Sequence, residues 1–395
     1  MSEINASNFK KEHGDLAPDL VGVSEQTSPY FFVPPSGDTA SRPKDCEPGT
    51  LRFNTDIGSL EVFRGKTIGW EQIQRRESQY LGGDSANSVI TTSTNSNRGT
   101  GTRGIFFGGN NGSTYDDIEF ITISTLGNTE DFGNLTQNKL ACGACGSRTR
   151  GIAAAGQTSP GYSNVINFIT FSSTGNASDF GDTTSARDFL GGLSNQTRGL
   201  FFGGRNPGAL NIIDFITIAQ TGNALDFGDL LSTRNNYCMG AASTTRGLMA
   251  TGVGSPSTKE IDFVTIATTG NGQDFGDTTV IQGGAGASNS TRAIFAGGYI
   301  VPAKGNVIEF ATISTLGNSI DFGDITSARR GLGGLASSTR ACFGGGQTSE
   351  DVNTIDFIEI ATTGNASDFG DLTVASSSNG KKKNVSGCSN GHGGL

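Results

Sequence analysis

Leu225-Asp226-Phe227-Gly228-Asp229-Leu230 is one of six near-copies of a single element. Its phenylalanine returns as Phe132, Phe180, Phe227, Phe275, Phe322 and Phe369, at steps of 48, 47, 48, 47 and 47 residues. An arginine followed by small and apolar residues keeps the same beat at Arg103, Arg150, Arg198, Arg246, Arg292 and Arg340. A fixed period near 47 residues marks a repeat architecture and outranks any single motif. It describes a scaffold that presents loops, and it argues against an enzyme.

Outward from that element, each copy reads as four short strands. The first is small and glycine-rich, as in Phe189-Leu190-Gly191-Gly192-Leu193 or Gly331-Leu332-Gly333-Gly334-Leu335. A Ser-x-x-Thr-Arg turn leads to the second, Gly199-Leu200-Phe201-Phe202-Gly203-Gly204. A loop of variable sequence follows. The third strand, Ile213-Asp214-Phe215-Ile216-Thr217-Ile218, is β-branched and aromatic with apolar residues on both faces, as a strand between two neighbouring sheets requires. A Gly-Asn turn (Gly222-Asn223, Gly270-Asn271, Gly364-Asn365) suits positive φ, and the Asp-Phe-Gly-Asp element closes the unit as the fourth strand. Four antiparallel strands per unit predict an all-β, six-bladed β-propeller. A β-helix is the competing repeat fold, but its rungs are shorter.

The ends of the repeat region set the frame. The first copy begins at its second strand, Gly104-Ile105-Phe106-Phe107, and after Asp371 a seventh first-strand segment appears, Ser386-Gly387-Cys388-Ser389-Asn390. This last segment is expected to supply the missing innermost strand of the first blade, which leaves no sheet edge open.

Composition agrees with a turn-rich β protein. The 395 residues include 60 Gly and only 10 Pro, and 34% are hydrophobic. The net charge of −9 comes largely from the repeated acidic turn and makes nucleic acid an improbable partner, since phosphate binding needs a basic stripe. The basic run Lys381-Lys382-Lys383 is expected to be a solvated loop. Six cysteines and two histidines (His13, His392) leave a zinc site short of ligands around Cys142 and Cys145, so buried structural thiols are expected, suited to assembly in a reducing cytoplasm. No apolar run has transmembrane length, and Met1 to Asp19 has no signal-peptide core.

The Gly-Gly after an apolar strand, the acid before an aromatic in the next strand and the bulky aromatic near the last strand resemble the kelch repeat, with Phe in place of its usual Trp. That resemblance covers about residues 100–395 and implies a propeller whose innermost strand comes first. Residues 35–74 carry two alternating runs about a Gly turn, Gly49-Thr50-Leu51-Arg52-Phe53-Asn54-Thr55 and Leu60-Glu61-Val62-Phe63, ending in Trp70-Glu71-Gln72-Ile73. A small hairpin is expected. The segment is similar to a short module of virion structural proteins and tail fibres of tailed phages, especially marine cyanobacterial ones. The stretch 387–395 resembles the ends of propeller-bearing proteins from the same phages. These likenesses imply an extended arm over 1–34, a particle-attachment β module over 35–78, a linker over 79–99 and a propeller over 100–395. They also imply a virion protein made in the host cytoplasm, attached to other virion proteins through its N-terminal region, with homo-oligomerisation left open.

Several tempting sites do not hold. Asp-Phe-Gly occurs six times without an H-R-D element or a V-A-I-K strand, which excludes a kinase. Two histidines cannot build a copper propeller, and one Trp cannot supply sialidase boxes. Acids spread one or two per blade have the wrong geometry for calcium; each is expected to accept turn N–H groups or to pair with a repeated Arg. No cofactor or metal is expected. The variable loop after the second strand is the place where a repeat scaffold carries function. There Tyr115, Tyr162 and Tyr299 offer rings for stacking on sugars, and Arg205, Lys259 and Lys304 offer donors, toward a host-surface glycan or protein. The other readings are an architectural capsid or tail decoration without a ligand and, more weakly, a cellular kelch-type adaptor.

Overall fold

The computed structural model describes residues 35–72 and 102–395, except 44–45, 57–58, 67–68, 236–237, 253–257, 280–282, 301 and 374–379. The expected arm (1–34) and linker (79–99) lie outside the described residues. The chain divides into two compact units, Met1–Arg76 and Glu77–Leu395. All described regular structure is β; no helix occurs among the described residues.

The first unit is more than a hairpin. Leu51–Asn54 and Ser59–Phe63 pair antiparallel as expected, but Trp70–Gln72 adds to Ser59–Phe63, and Ser36–Gly37 adds in parallel to Leu51–Asn54. The result is a four-stranded sheet. Its buried carboxylate, Glu61, takes hydrogen bonds from Arg42 and Asn54, and the Arg42 contact holds its pKa below the usual range. Arg52 lies 5.7 Å over the Trp70 ring.

The second unit holds six four-stranded antiparallel sheets. The third shows the pattern: Gly191–Ser194, Arg198–Phe202, Leu210–Thr217 and Leu225–Arg234, paired in chain order. In the first sheet the order is Ser386–Ser389, Arg103–Phe107, Asp117–Thr122, Glu130–Asn134, so the C-terminal segment pairs with the start of the repeat region, Gly387 opposite Phe106 and Cys388 opposite Ile105. Each first strand touches two others. Gly143–Gly146 contacts Gly191–Ser194 and Ser386–Ser389, and the succession runs on through Met239–Ala242, Ala285–Ser288 and Gly333–Ala336 back to Ser386–Ser389.

Residue identity explains this close approach. A Cβ added to Gly192 would stand 2.3 Å from the Ala144 carbonyl oxygen, one on Gly240 2.1 Å from that of Gly192, and one on Gly286 2.3 Å from that of Gly240. The strands can sit this near only because five of the six positions are glycine. Serine alternates along the same succession. Ser194 Oγ donates to Gly146 O (2.7 Å), Ser288 Oγ to Ala242 O (2.9 Å) and Ser389 Oγ to Ala336 O, tying neighbouring first strands together.

The Asp-Phe-Gly-Asp element is the outer seam between sheets. All six of its phenylalanines are buried, and each meets the aromatic of its own third strand edge-to-face, as Phe227 meets Phe215 with centroids 5.9 Å apart. Its glycine has φ near 146° and lies against the next Gly-Asn turn; a Cβ on Gly181 would fall 2.4 Å from Gly222 O. There the Gly222 N–H donates to Phe180 O (2.7 Å) and Asn223 Oδ1 accepts from the Asp182 N–H (3.0 Å). The contact recurs at every sheet, including Asn128 Oδ1 with the Asp371 N–H (3.0 Å).

Candidate functional site

Three sets of recurring side chains resolve into structure. The repeated arginines stack on the third-strand aromatic of their own sheet, Arg198 4.8 Å above Phe215, and donate to the carbonyl ending the next sheet's third strand, Arg198 Nη1 to Ile266 O (3.1 Å). Arg340 donates in the same way to Ile123 O (3.3 Å). The carboxylates of the Asp-Phe-Gly elements are not the arginines' partners: Asp131, Asp179, Asp226, Asp274, Asp321 and Asp368 are exposed. Among the described residues no group of three or more His, Cys, Asp or Glu side chains could hold a metal ion.

A second set was not legible as such. Fully buried cations stand just before the first strands: Lys139, Arg187, Arg234, Arg329 and Lys382. Four of them pair with a buried acid on the third strand of the following sheet. Arg187 Nη2 lies 2.9 Å from Asp214, Arg329 Nη1 3.0 Å from Asp356, and Arg234 and Lys382 meet Asp262 and Glu119. Lys382 therefore corrects the expectation of a solvated basic loop: its ammonium is fully buried against Glu119, while Lys381 stays exposed. Two copies break the rule. Asn167 stands at the acid's position in the sheet after Lys139, and Lys139 donates to Ala153 O (3.3 Å) and Val165 O (3.1 Å). At Glu309 the corresponding sequence position is Ile281, and the carboxylate takes hydrogen bonds from Thr279 and Ser319. The Thr-Ser-Ala-Arg string at 184–187 and 326–329 was the available signal.

The cysteines are free thiols, five buried and Cys46 half-buried. Burial raises Cys238 to about 11, which makes it an inert core residue. The first strands line two small cavities, about 70 and about 50 Å³, room for water and no larger ligand. His392 folds under one of them, with Nε2 3.0 Å from Gly146 O.

The six expected contact residues fare differently. Tyr115 Oη turns back to Asn111 O (3.5 Å), and Tyr299 Oη to Pro302 O (2.7 Å) with Arg330 5.9 Å from its ring. Arg205 is held by Asp188 (2.9 Å) and stacked 4.7 Å over Phe189, and Lys304 Nζ donates to Thr348 O. Lys259 is exposed. Tyr162 is exposed and lines a cleft of about 700 Å³ between the first two sheets. One wall is the hairpin Asn110–Asn111 with Ser113–Thr114; the other is the end of Arg150–Thr158 and the start of Gly161–Thr170. Asn138 and Leu140 form the floor, and Asn138 Nδ2 donates to Thr114 O (3.0 Å). The structure thus joins Tyr162 to Asn110, Asn138 and Gln157, which sequence reasoning passed over, and does not bring the six chosen residues into one site. No protein-family model matches the chain, and no curated protein matches it.

Proposed function

We propose that the chain is a virion structural protein of a tailed phage, in which a six-bladed β-propeller displays a variable face for host-surface recognition. The propeller reading is supported by the unbroken succession of first-strand contacts and by the arginine-to-carbonyl bond repeated from sheet to sheet, Arg340 to Ile123 included. The reading is of a protein that binds rather than catalyses, as a repeat scaffold with one variable loop set suggests. The observation that carries recognition is the contrast between uniform seams and one variable loop set. The seam contacts repeat almost atom for atom, while the loops after the second strand differ in length and composition and, between the first two sheets, open the cleft described above.

A second reading, architectural decoration without a ligand, is favoured by a specific fact: Tyr115, Tyr299, Arg205 and Lys304 are engaged within the protein. Particle adsorption separates the two. Particles carrying Tyr115→Ala, Tyr162→Ala and Tyr299→Ala together are expected to form at normal yield and to lose adsorption to host cells. Normal adsorption would leave the decoration reading. Antibody against residues 103–395, followed by electron microscopy of particles, locates the domain on the virion.

A further inference from the structure

The cleft between the first two sheets has a chemistry of its own. None of its lining residues carries a formal charge, although the chain as a whole has 37 acidic and 28 basic residues. Loop cations outside the lining are engaged with acids, Lys383 with Asp351 (3.3 Å), Arg205 with Asp188 (2.9 Å) and, more loosely, Lys381 with Glu350 (3.9 Å). Gln157 and Tyr162 are direct cross-strand partners, so their side chains share one face, and both line the cleft. Among the described residues neither the Gln157 amide nor the Tyr162 hydroxyl has a hydrogen-bond partner. An amide offers two donors and two acceptor lone pairs, and a tyrosine offers a flat apolar face with one polar tip. Asn110, Asn138, Thr114 and Ser159 add further amides and hydroxyls around them.

We propose that this cleft binds an uncharged oligosaccharide, with a sugar ring laid on Tyr162 and adjacent hydroxyls bridged by Gln157. The inference rests on the recognition reading above and deepens it. An anionic ligand would lie in a site with no free cation to pair it, and a charge enclosed without a partner is costly. An apolar ligand would strand the amides. A neutral polyol satisfies both donor and acceptor, and the volume falls within the roughly 300–1,000 Å³ of ordinary ligand sites. The walls are fixed by backbone ladders and by the Asn138–Thr114 bond, so the cleft exists before the ligand arrives.

The test uses the full chain. Maltotriose, cellotriose, mannotriose and N-acetyllactosamine are the neutral probes, within a wider neutral array; sialyllactose and a heparin disaccharide are the anionic ones. Binding to at least one neutral probe is expected. Gln157→Ala and Tyr162→Ala should each weaken it by roughly tenfold or more with the circular dichroism spectrum unchanged, and Tyr162→Phe, which keeps the ring, should weaken it less. Neutral binding indifferent to both alanine variants, binding confined to the anionic probes, or silence across the neutral array overturns the proposal. In that last case the triple-tyrosine adsorption result decides separately whether the face recognises the host by other means.

Discussion

Among single residues, Lys139 stands out as a fully buried cation whose sheet offers an amide where others offer an acid. Asn167 occupies the place that Asp214, Asp262, Asp356 and Glu119 hold in other sheets. Burial lowers the Lys139 ammonium from 10.5 to about 8. The unfolded chain then binds this proton more tightly than the folded one, so the charged form opposes folding below about pH 8. Stability should rise between about pH 8 and 10.5 as the folded lysine sheds its proton first. Chemical denaturation across that range, compared between wild type and Lys139→Met, checks it; equal slopes would show that the lysine does not titrate as described. Arg187 and Asp214 mark the opposite case, a complete pair whose partners bury each other.

At the scale of the element, the Asp-Phe-Gly-Asp strand carries three duties in four residues. Phe227 fills the seam, Gly228 lets the next turn's backbone come close, and the Asp229 N–H donates to that turn's Asn271 Oδ1. Truncating Phe227 to Ala should cost about 3–5 kcal/mol, read from denaturant unfolding. A loss below about 1 kcal/mol would mean that the seam does not depend on the ring. The element was legible because its spacing is periodic and its residues have narrow uses: Gly-Asn at positive φ, Phe in a buried strand. The buried cations were not, because Lys139 and Lys382 sit in connections that differ in length and look like ordinary loops, and Arg234 ends a strand that runs on past its Asp-Phe-Gly-Asp element. Nor could spacing show that Arg205 would be claimed by Asp188, 17 residues away, while Tyr162 would stay open. Such partnerships depend on which sheets become neighbours, and a period of 47 residues says nothing about side-chain competition within a loop. The N-terminal sheet went under-read for a similar reason, since Ser36–Gly37 is too short to carry an alternating pattern.

Across the whole second unit, one strand pair joins the two ends of the repeat region. Removing residues 384–395 strips Ser386–Ser389 from Arg103–Phe107 and uncovers Ile105 and Phe107, now almost fully buried. The truncated chain should melt well below the full one and associate through the bared edge. A melting temperature equal to that of the full chain would refute the closure. The same pairing sets a timetable for biosynthesis. Gly104 and its partner Ser389 are separated by ~285 residues, and a ribosome adding about 5–20 residues per second needs roughly 15–55 s to cover that distance. Throughout that interval the earliest sheet is one strand short. Nascent chains on one messenger expose the same apolar edge at the same moment, so the yield of folded protein should depend on translation speed and on chaperones that shield the first sheet until its last strand arrives.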